Sequence, residues 1–546
     1  MTHMARMPLA LAAVVAGFAS GVWAEDPAAT IEIGTPTQLV LEPANFTLLG
    51  SRARQQLLVT GAYSGDDVRD LTAAVQYASS NAEVARIDGT HVVPVANGEC
   101  QITASVNGLS AVVTCRVERM DQPSPISFKN ETQMALTKAG CNMGACHGSP
   151  SGKGGFRLSL RAYDNELDIM TLRSEFFGRR INIMEPSESL LLKKPLMDVA
   201  HGGGKRLKKG DVLHRVLEQW IAEGLQIDAP TEPSLVRIET LPSKRVLRAP
   251  AARQQLVVMG HFSDGSVRDL TDLADFSSSS EAVGRVDVTG LVTKEGRGET
   301  AVLARYLDKM ATCQLTFLED VPGFAWNNPA EHNVIDKLVF NKLKTLQILP
   351  SDLCTDDEFL RRAYLDTTGR LPTIAETEAF LGDTSPSKRQ VLVDQLLDTD
   401  DFASYWALKW CDILRSNSKK IKLAGVHKFK RWVFETMRDD RPLDQFAREL
   451  LTASGSAFEN PAANYWRASR DPQDATETTA QLFLGVRIQC AKCHNHPFER
   501  WTQDNYYGIA AAFARVGRKN SIDADEEIIF TQPGGEATRH VDVDPL

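Results

Sequence analysis

The stretch RQQLLVTGAYSGDDVRDLTAAVQYASS, residues 54–80, returns as RQQLVVMGHFSDGSVRDLTDLADFSSS at residues 253–279. The register holds without a gap at an offset of 199, so the chain carries two copies of one module. Within each copy, short apolar segments such as Gln56-Leu57-Leu58-Val59 and Leu256-Val257-Val258 are punctuated by Ser-Gly-Asp-Asp or Ser-Asp-Gly-Ser turns. Strands of this length with turns at this spacing predict a small β-sandwich over 30–118 and another over 232–318.

The second copy continues through Val283, Val286, Gly290-Leu291-Val292 and the segment Gly298 to Ala304 (GETAVLA). On these residues, together with SVRDLT at 266–271, both copies resemble the bacterial immunoglobulin-like domain of group 2 (BIG2). That resemblance implies a spacing, display or surface-binding role.

Residues 125–228, between the copies, have a different composition. They open with ALTKAGCNMGACHGSPSGKGG (135–155), in which four residues separate Cys141 from Cys146 and His147 follows directly. They end in an amphipathic helix: Val212, Leu213, Val216, Leu217, Trp220 and Ile221 recur at helical spacing, and Gly224 stands where a C-terminal cap belongs. Taken with GGFRL (154–158), SLLLK (189–193) and LEQWIAEG (217–224), the segment resembles the planctomycete-type cytochrome c domain. The chemistry such a motif serves is covalent haem attachment. Two thiols add to the two haem vinyl groups, and the histidine after the second thiol is placed under the iron.

Two departures from the family pattern matter. The cysteines are separated by four residues rather than two, and Gly140 and Gly144 offer the freedom to absorb the longer loop. The loop that commonly holds a distal methionine reads AHGGGKR (200–206). The resemblance therefore assigns His201 as distal ligand ahead of Met197, and bis-histidine ligation lowers the reduction potential relative to histidine–methionine. A Cys141–Cys146 disulfide, or a zinc ion held by these thiols with His147 and His201, are the alternative readings. GSPSGKGG (148–155) lacks the spacing of a phosphate-binding loop, and HGGGK (201–205) has no nucleophile-elbow serine to accompany it.

From about residue 330 the periodicity turns helical. EHNVIDKLVFNKLKTLQI (331–348) sets Val334, Ile335, Leu338, Val339 and Leu343 on one face, and TDDEFLRRAYLDTTGRLPT (355–373) runs from an N-cap threonine to Gly369. An all-α domain is expected over 330–515. FLRRAYLDTTGRLPT, YWALKWCDILR and GVRIQCAKCHNHPFERWTQDNYYGIAAAFARV resemble a helical domain of unknown function found in large secreted planctomycete proteins; the resemblance spans about 333–515. It contains a second motif, Cys490-x-x-Cys493-His494, which fits c-type haem attachment. His496 nearby keeps zinc as an alternative, and His427 and Met437 are the distal candidates. The last segment, 516–546, ends in HVDVDPL without a stop signal, as the front part of a longer protein would.

The compartment follows from the start of the chain. Arg6 precedes an apolar run from Pro8 to Val22, and Val22-Trp23-Ala24 offers a cleavage site, so residues 1–24 read as a removed export signal, about 15 apolar residues being too short to span a bilayer. Export places the chain in the periplasm, on the cell surface or outside the cell. No other apolar run is long enough to cross a membrane, so no integral membrane protein is expected. A net charge of −9 argues against a nucleic-acid binder. The clusters Lys205–Lys209 and Lys419–Arg431 read as solvated faces, with docking to an acidic redox partner as the other reading.

Of nine cysteines, Cys100 and Cys115 are candidates for a disulfide, whereas Cys313, Cys354 and Cys411 have the apolar contexts of buried thiols. The composite expectation is a multidomain α+β protein: two immunoglobulin-like sandwiches, a small helical cytochrome c-like domain between them and a helical C-terminal domain. Its expected function is exported electron transfer through one or two haem c groups, toward a redox partner protein or a cell-surface component. The rival readings are a surface-binding or adhesion protein with structural zinc sites and part of an extracellular polysaccharide-processing enzyme. No catalytic constellation supports the latter.

Overall fold

The computed structural model describes residues 31–537 apart from 495, 497 and 498; the export segment read at 1–24 lies outside the described residues. The two copies of the repeat fold alike, strand for strand. In the first, Gln38–Glu42, Leu58–Ala62 and Val68–Asp70 form one sheet, and Asn45–Leu49, Leu109–Glu118, Gly98–Val106 and Gln76–Ser79 form the other. The first strand of the second sheet runs parallel to Leu109–Glu118 while the remaining pairs are antiparallel. In the second copy the corresponding sheets are Leu235–Leu241, Val257–Phe262, Val267–Asp269 and Lys244–Arg248, Lys309–Leu318, Gly298–Tyr306, Asp275–Ser278. Alternation sets the inside of each sandwich: Cys100, Ile102 and Ala104 on one strand face inward, as do Thr300, Val302 and Ala304 at the matching places.

The sandwiches pack against each other through reciprocal contacts. The Gln255 amide donates to the Asp70 carboxylate at 2.5 Å, and the Gln56 amide donates to Asp269. Each pair is the other displaced by 199 residues, so the interface is a pseudo-two-fold within one chain. Each carboxylate also accepts the amide of a threonine two residues on, Thr72 or Thr271. Leu58, Val257 and Met259 form the small apolar cluster across this seam.

The middle domain has four helices, α1 (Gln133–Lys138), α2 (Asn165–Arg173), α3 (Leu190–Leu196) and α4 (Val212–Ala222). Trp220 is wholly buried, its ring centroid 5.2 Å from that of Phe128, and Val216, Leu217 and Ile221 complete the expected buried face of α4. Asp211 caps that helix through the His214 amide, and Gly224, at φ +83°, turns the chain so that the Leu225 amide returns to the Trp220 carbonyl. The domain docks on the second sandwich through Lys138 Nζ to the Asp272 carbonyl and Tyr306 Oη to the Asn130 carbonyl. On the first sandwich, Arg52 reaches Glu131 and the Ser124 and Pro125 carbonyls.

The C-terminal region is helical as expected, from α5 (Val334–Thr345) through Gln503–Phe513, but it is not all-α. Val516–Asn520 and Glu527–Thr531 form a hairpin that adds Gly455–Ser456 as a third strand. The segment read as a tail from 516 onward thus contributes to this region's core. Ile529 is buried among the helices, and Glu527 pairs with the buried Arg467 at 2.8 Å, a charge that burial would leave costly without it. The apolar face of α5 lies at the surface, where Val334 is 69% and Leu338 65% exposed; what holds the helix is polar, Lys342 to Glu299 and Arg297 to the Leu346 carbonyl. Among the described residues no helix is long and apolar enough to cross a membrane.

Candidate functional site

The first cysteine motif follows α1 directly. Gly140, at φ +77°, reverses the chain so that the Cys141 amide reaches the Leu136 carbonyl. The His147 amide returns to the Cys141 carbonyl at 2.9 Å, closing the wide loop. Gly144 has no left-handed backbone; the second glycine the loop needs is Gly148, where an added Cβ would stand 2.1 Å from the Asn142 carbonyl oxygen. Asn142 is itself buried and donates from Nδ2 to Thr137 Oγ1 at 2.8 Å. Gly148→Ala is therefore expected to open the loop and to destabilise the middle domain by about 2–4 kcal/mol, an overpacking cost against backbone that has nowhere to move, read by chemical denaturation.

Opposite this loop stands His201. The His147 and His201 ring centroids lie 6.3 Å apart with planes only 12° from parallel. His147 Nδ1 lies 3.0 Å from the Phe156 carbonyl, and His201 Nδ1 lies 2.8 Å from that of Gly204. A carbonyl only accepts, so each ring donates from Nδ1, and the neutral form of either ring leaves the lone pair on Nε2. Burial pushes the His147 imidazole below its usual value, with His201 adding to the effect. A Cβ at Gly203 would sit 2.9 Å from His201 Cε1, so glycine there gives the ring its seat. Met197, the competing candidate, ends α3 in a left-handed conformation and is about half exposed.

Cys141 and Cys146 are free thiols, as are the other seven cysteines. Burial raises the Cys141 thiol to about 12, so it is held neutral. Cys100 and Cys115 face each other as cross-strand partners inside the first sandwich, both as buried thiols. Cys313 and Cys411 are buried, as their contexts implied, and Cys354 is partly exposed.

Behind His147, the Leu158 amide bonds to the His147 carbonyl, and the next residue, Ser159, donates its amide and hydroxyl to the buried Asp168, which also accepts from Gln133 Nε2 at 2.7 Å. Burial outweighs these bonds and raises Asp168 to about 6. A carboxyl raised above its unfolded value favours the folded state most below about pH 4, and that contribution is lost as pH rises through about 6. Wild-type protein is expected to lose on the order of 2–3 kcal/mol from this group between pH 4 and pH 7.5, and Asp168→Asn to show a flatter profile in paired denaturation curves.

The second motif is built differently. Cys490 and Cys493 are exposed on a short turn of 3-10 helix, where the Cys493 and His494 amides both approach the Cys490 carbonyl at 3.3 Å. The His496 amide bonds to the Trp501 carbonyl at 2.8 Å. The apolar cluster beside this motif contains Ile488, Ala491, Tyr506 and Tyr507; Met437 packs in a different cluster and His427 is exposed, so neither distal candidate is brought to it. Among the described residues no three His, Cys, Asp or Glu side chains converge as a site for a bare metal ion. Sequence reasoning missed Gly148, Asn142 and Asp168; the only trace of them was the glycine-rich composition after His147.

Residues 334–518 match the family model described as "PSCyt2: Protein of unknown function (DUF1549)". No curated protein matches the chain. Among solved structures, domains 5-6 of the S-layer protein SbsC are 10% identical, with 53% of this chain and 99% of that chain covered at a TM-score of 0.22. The chain spans 32% of the longer SbsC structure of domains 4-9, again at a TM-score of 0.22. The Yersinia pseudotuberculosis adhesin InvE is 11% identical, with 52% and 58% covered at a TM-score of 0.11.

Proposed function

We propose that this chain is an exported c-type cytochrome-like electron-transfer protein whose middle domain holds haem between His147 and His201, with the paired sandwiches as spacer or attachment modules. The observation that carries the reading is the histidine pair. Two metal–imidazole bonds of about 2.1 Å and two ring radii of about 1.1 Å span about 6.4 Å, and the ring centroids stand 6.3 Å apart. Each ring also has its second nitrogen tied to a carbonyl, the arrangement that orients a histidine ligand and raises its basicity. Cys141 and Cys146 lie on the same loop as His147 and supply the thiols for thioether attachment.

When bound, haem supplies a one-electron couple. The chain's own residues then set its character. His147 and His201 would together hold the iron, and two protein ligands favour electron transfer over binding of exogenous small ligands. The aromatic ring of Phe156, 4.5 Å from His147, and the buried core around Trp220 keep the surroundings apolar. Cys490, Cys493 and His494 would hold a second haem in the C-terminal region.

The test is to produce the chain from residue 25 in a host with cytochrome c maturation machinery and record a pyridine haemochrome spectrum. One or two haems per chain are expected, falling by one in Cys141→Ala/Cys146→Ala. A chain without a Soret band that carries stoichiometric zinc would contradict the proposal.

A further inference from the structure

Cys100 and Cys115 stand directly opposite each other on Gly98–Val106 and Leu109–Glu118, the two longest strands of the first sandwich. Residues facing across an antiparallel pair have Cα atoms about 4.5–5.5 Å apart and side chains on the same face, inside the span of about 4.4–6.8 Å that a disulfide bridges. Both side chains point into the core, at 3% and 0% exposure, in the cluster that also holds Phe46, Leu48 and Val117. The two thiols are within hydrogen-bonding reach of each other, and burial together with Cys100 pushes the Cys115 thiol up to about 12.

The second sandwich cannot make this tie. Thr300 and Leu315 occupy the matching pair, and its own cysteine, Cys313, faces Val302. The shared fold therefore does not require cysteine at either place, and the facing pair in the first copy calls for a reason of its own. A thiol held neutral in a closed core is a poor nucleophile, because the thiolate is the reacting form. A bond between Cys100 and Cys115 must then form while the sandwich is still open and both sulfurs reach solvent.

We propose that Cys100 and Cys115 are joined by a disulfide as the exported chain folds, giving the first sandwich a covalent tie that the second lacks. One thiolate attacks the disulfide of an exported dithiol oxidase, and the other displaces the oxidase sulfur from the mixed disulfide. The two cysteines lose two electrons and two protons, and the oxidase is left as a dithiol. The bond needs export but not haem. The test uses the full chain from residue 25, sent to the periplasm, acid-quenched and alkylated in denaturant without reductant before tryptic mapping by mass spectrometry. The tryptic peptide Ile87–Arg116 contains both cysteines and no others. It is expected unalkylated and lighter by two hydrogens than the reduced peptide, while Cys313 and Cys411 are alkylated. Dithiothreitol should lower the unfolding midpoint of the exported chain by about 10 °C, the scale of one disulfide in a module of this size, and leave that of Cys100→Ala/Cys115→Val unmoved. Alkylation of both cysteines without reductant, or linkage of either to another cysteine, would overturn the proposal, and both of these readouts come from the wild-type chain.

Discussion

Asp269→Ala is expected to destabilise the chain by about 2–4 kcal/mol and to loosen the pairing of the two sandwiches, and Asp70→Ala to do the same from the other side. Each carboxylate accepts a backbone amide from the opposite module, Gln56 or Gln255, as well as the amide of its own Thr271 or Thr72. Removing it leaves two amides without an acceptor at a buried seam, each costing about 1–3 kcal/mol. The sites share one interface, so the double variant should depart from additivity. Chemical denaturation gives the energies, and small-angle scattering should show a larger radius of gyration in the variants. A change within about 0.5 kcal/mol for both, the scale of ordinary surface substitutions, would mean that the reciprocal bonds do not hold the modules together.

The second large effect is spectroscopic. In protein carrying Cys490→Ala/Cys493→Ala, so that any haem sits in the middle domain, His201→Ala is expected to leave haem covalently attached while opening the sixth coordination position. Loss of a strong-field imidazole should convert most of the ferric iron from low to high spin and admit carbon monoxide to the ferrous form. Met197→Ala should leave the spectrum unchanged, since Met197 ends α3 half exposed while His201 faces His147. A spectral change in Met197→Ala with none in His201→Ala would transfer the ligand role.

The sandwiches were legible because both signals that mark them are local: alternation along each strand and a repeat at constant register. Their mutual packing was not, because nothing in either copy says that it faces the other. The one trace is that Asp70 and Asp269 recur within the shared VRDLT, and the structure gives that recurrence a reason. In the middle domain the buried face of α4 followed the sequence reading, whereas Gly148 and Asp168 act through backbone closure and buried hydrogen bonds that spacing does not reveal. In the C-terminal region the helices were read correctly. The hairpin at 516–531 was missed because Glu527 has its partner, Arg467, sixty residues away. The amphipathic pattern of α5 was real, but periodicity shows that a face exists and not what covers it.

The most direct measurement is the electron paramagnetic resonance spectrum of the ferric protein with the second motif removed. Axial imidazoles only 12° from parallel should give a rhombic low-spin signal with three resolved g-values. An axial high-spin signal in the parent protein, or the single large-g feature of perpendicular imidazoles, would contradict a haem held between His147 and His201 in the arrangement described.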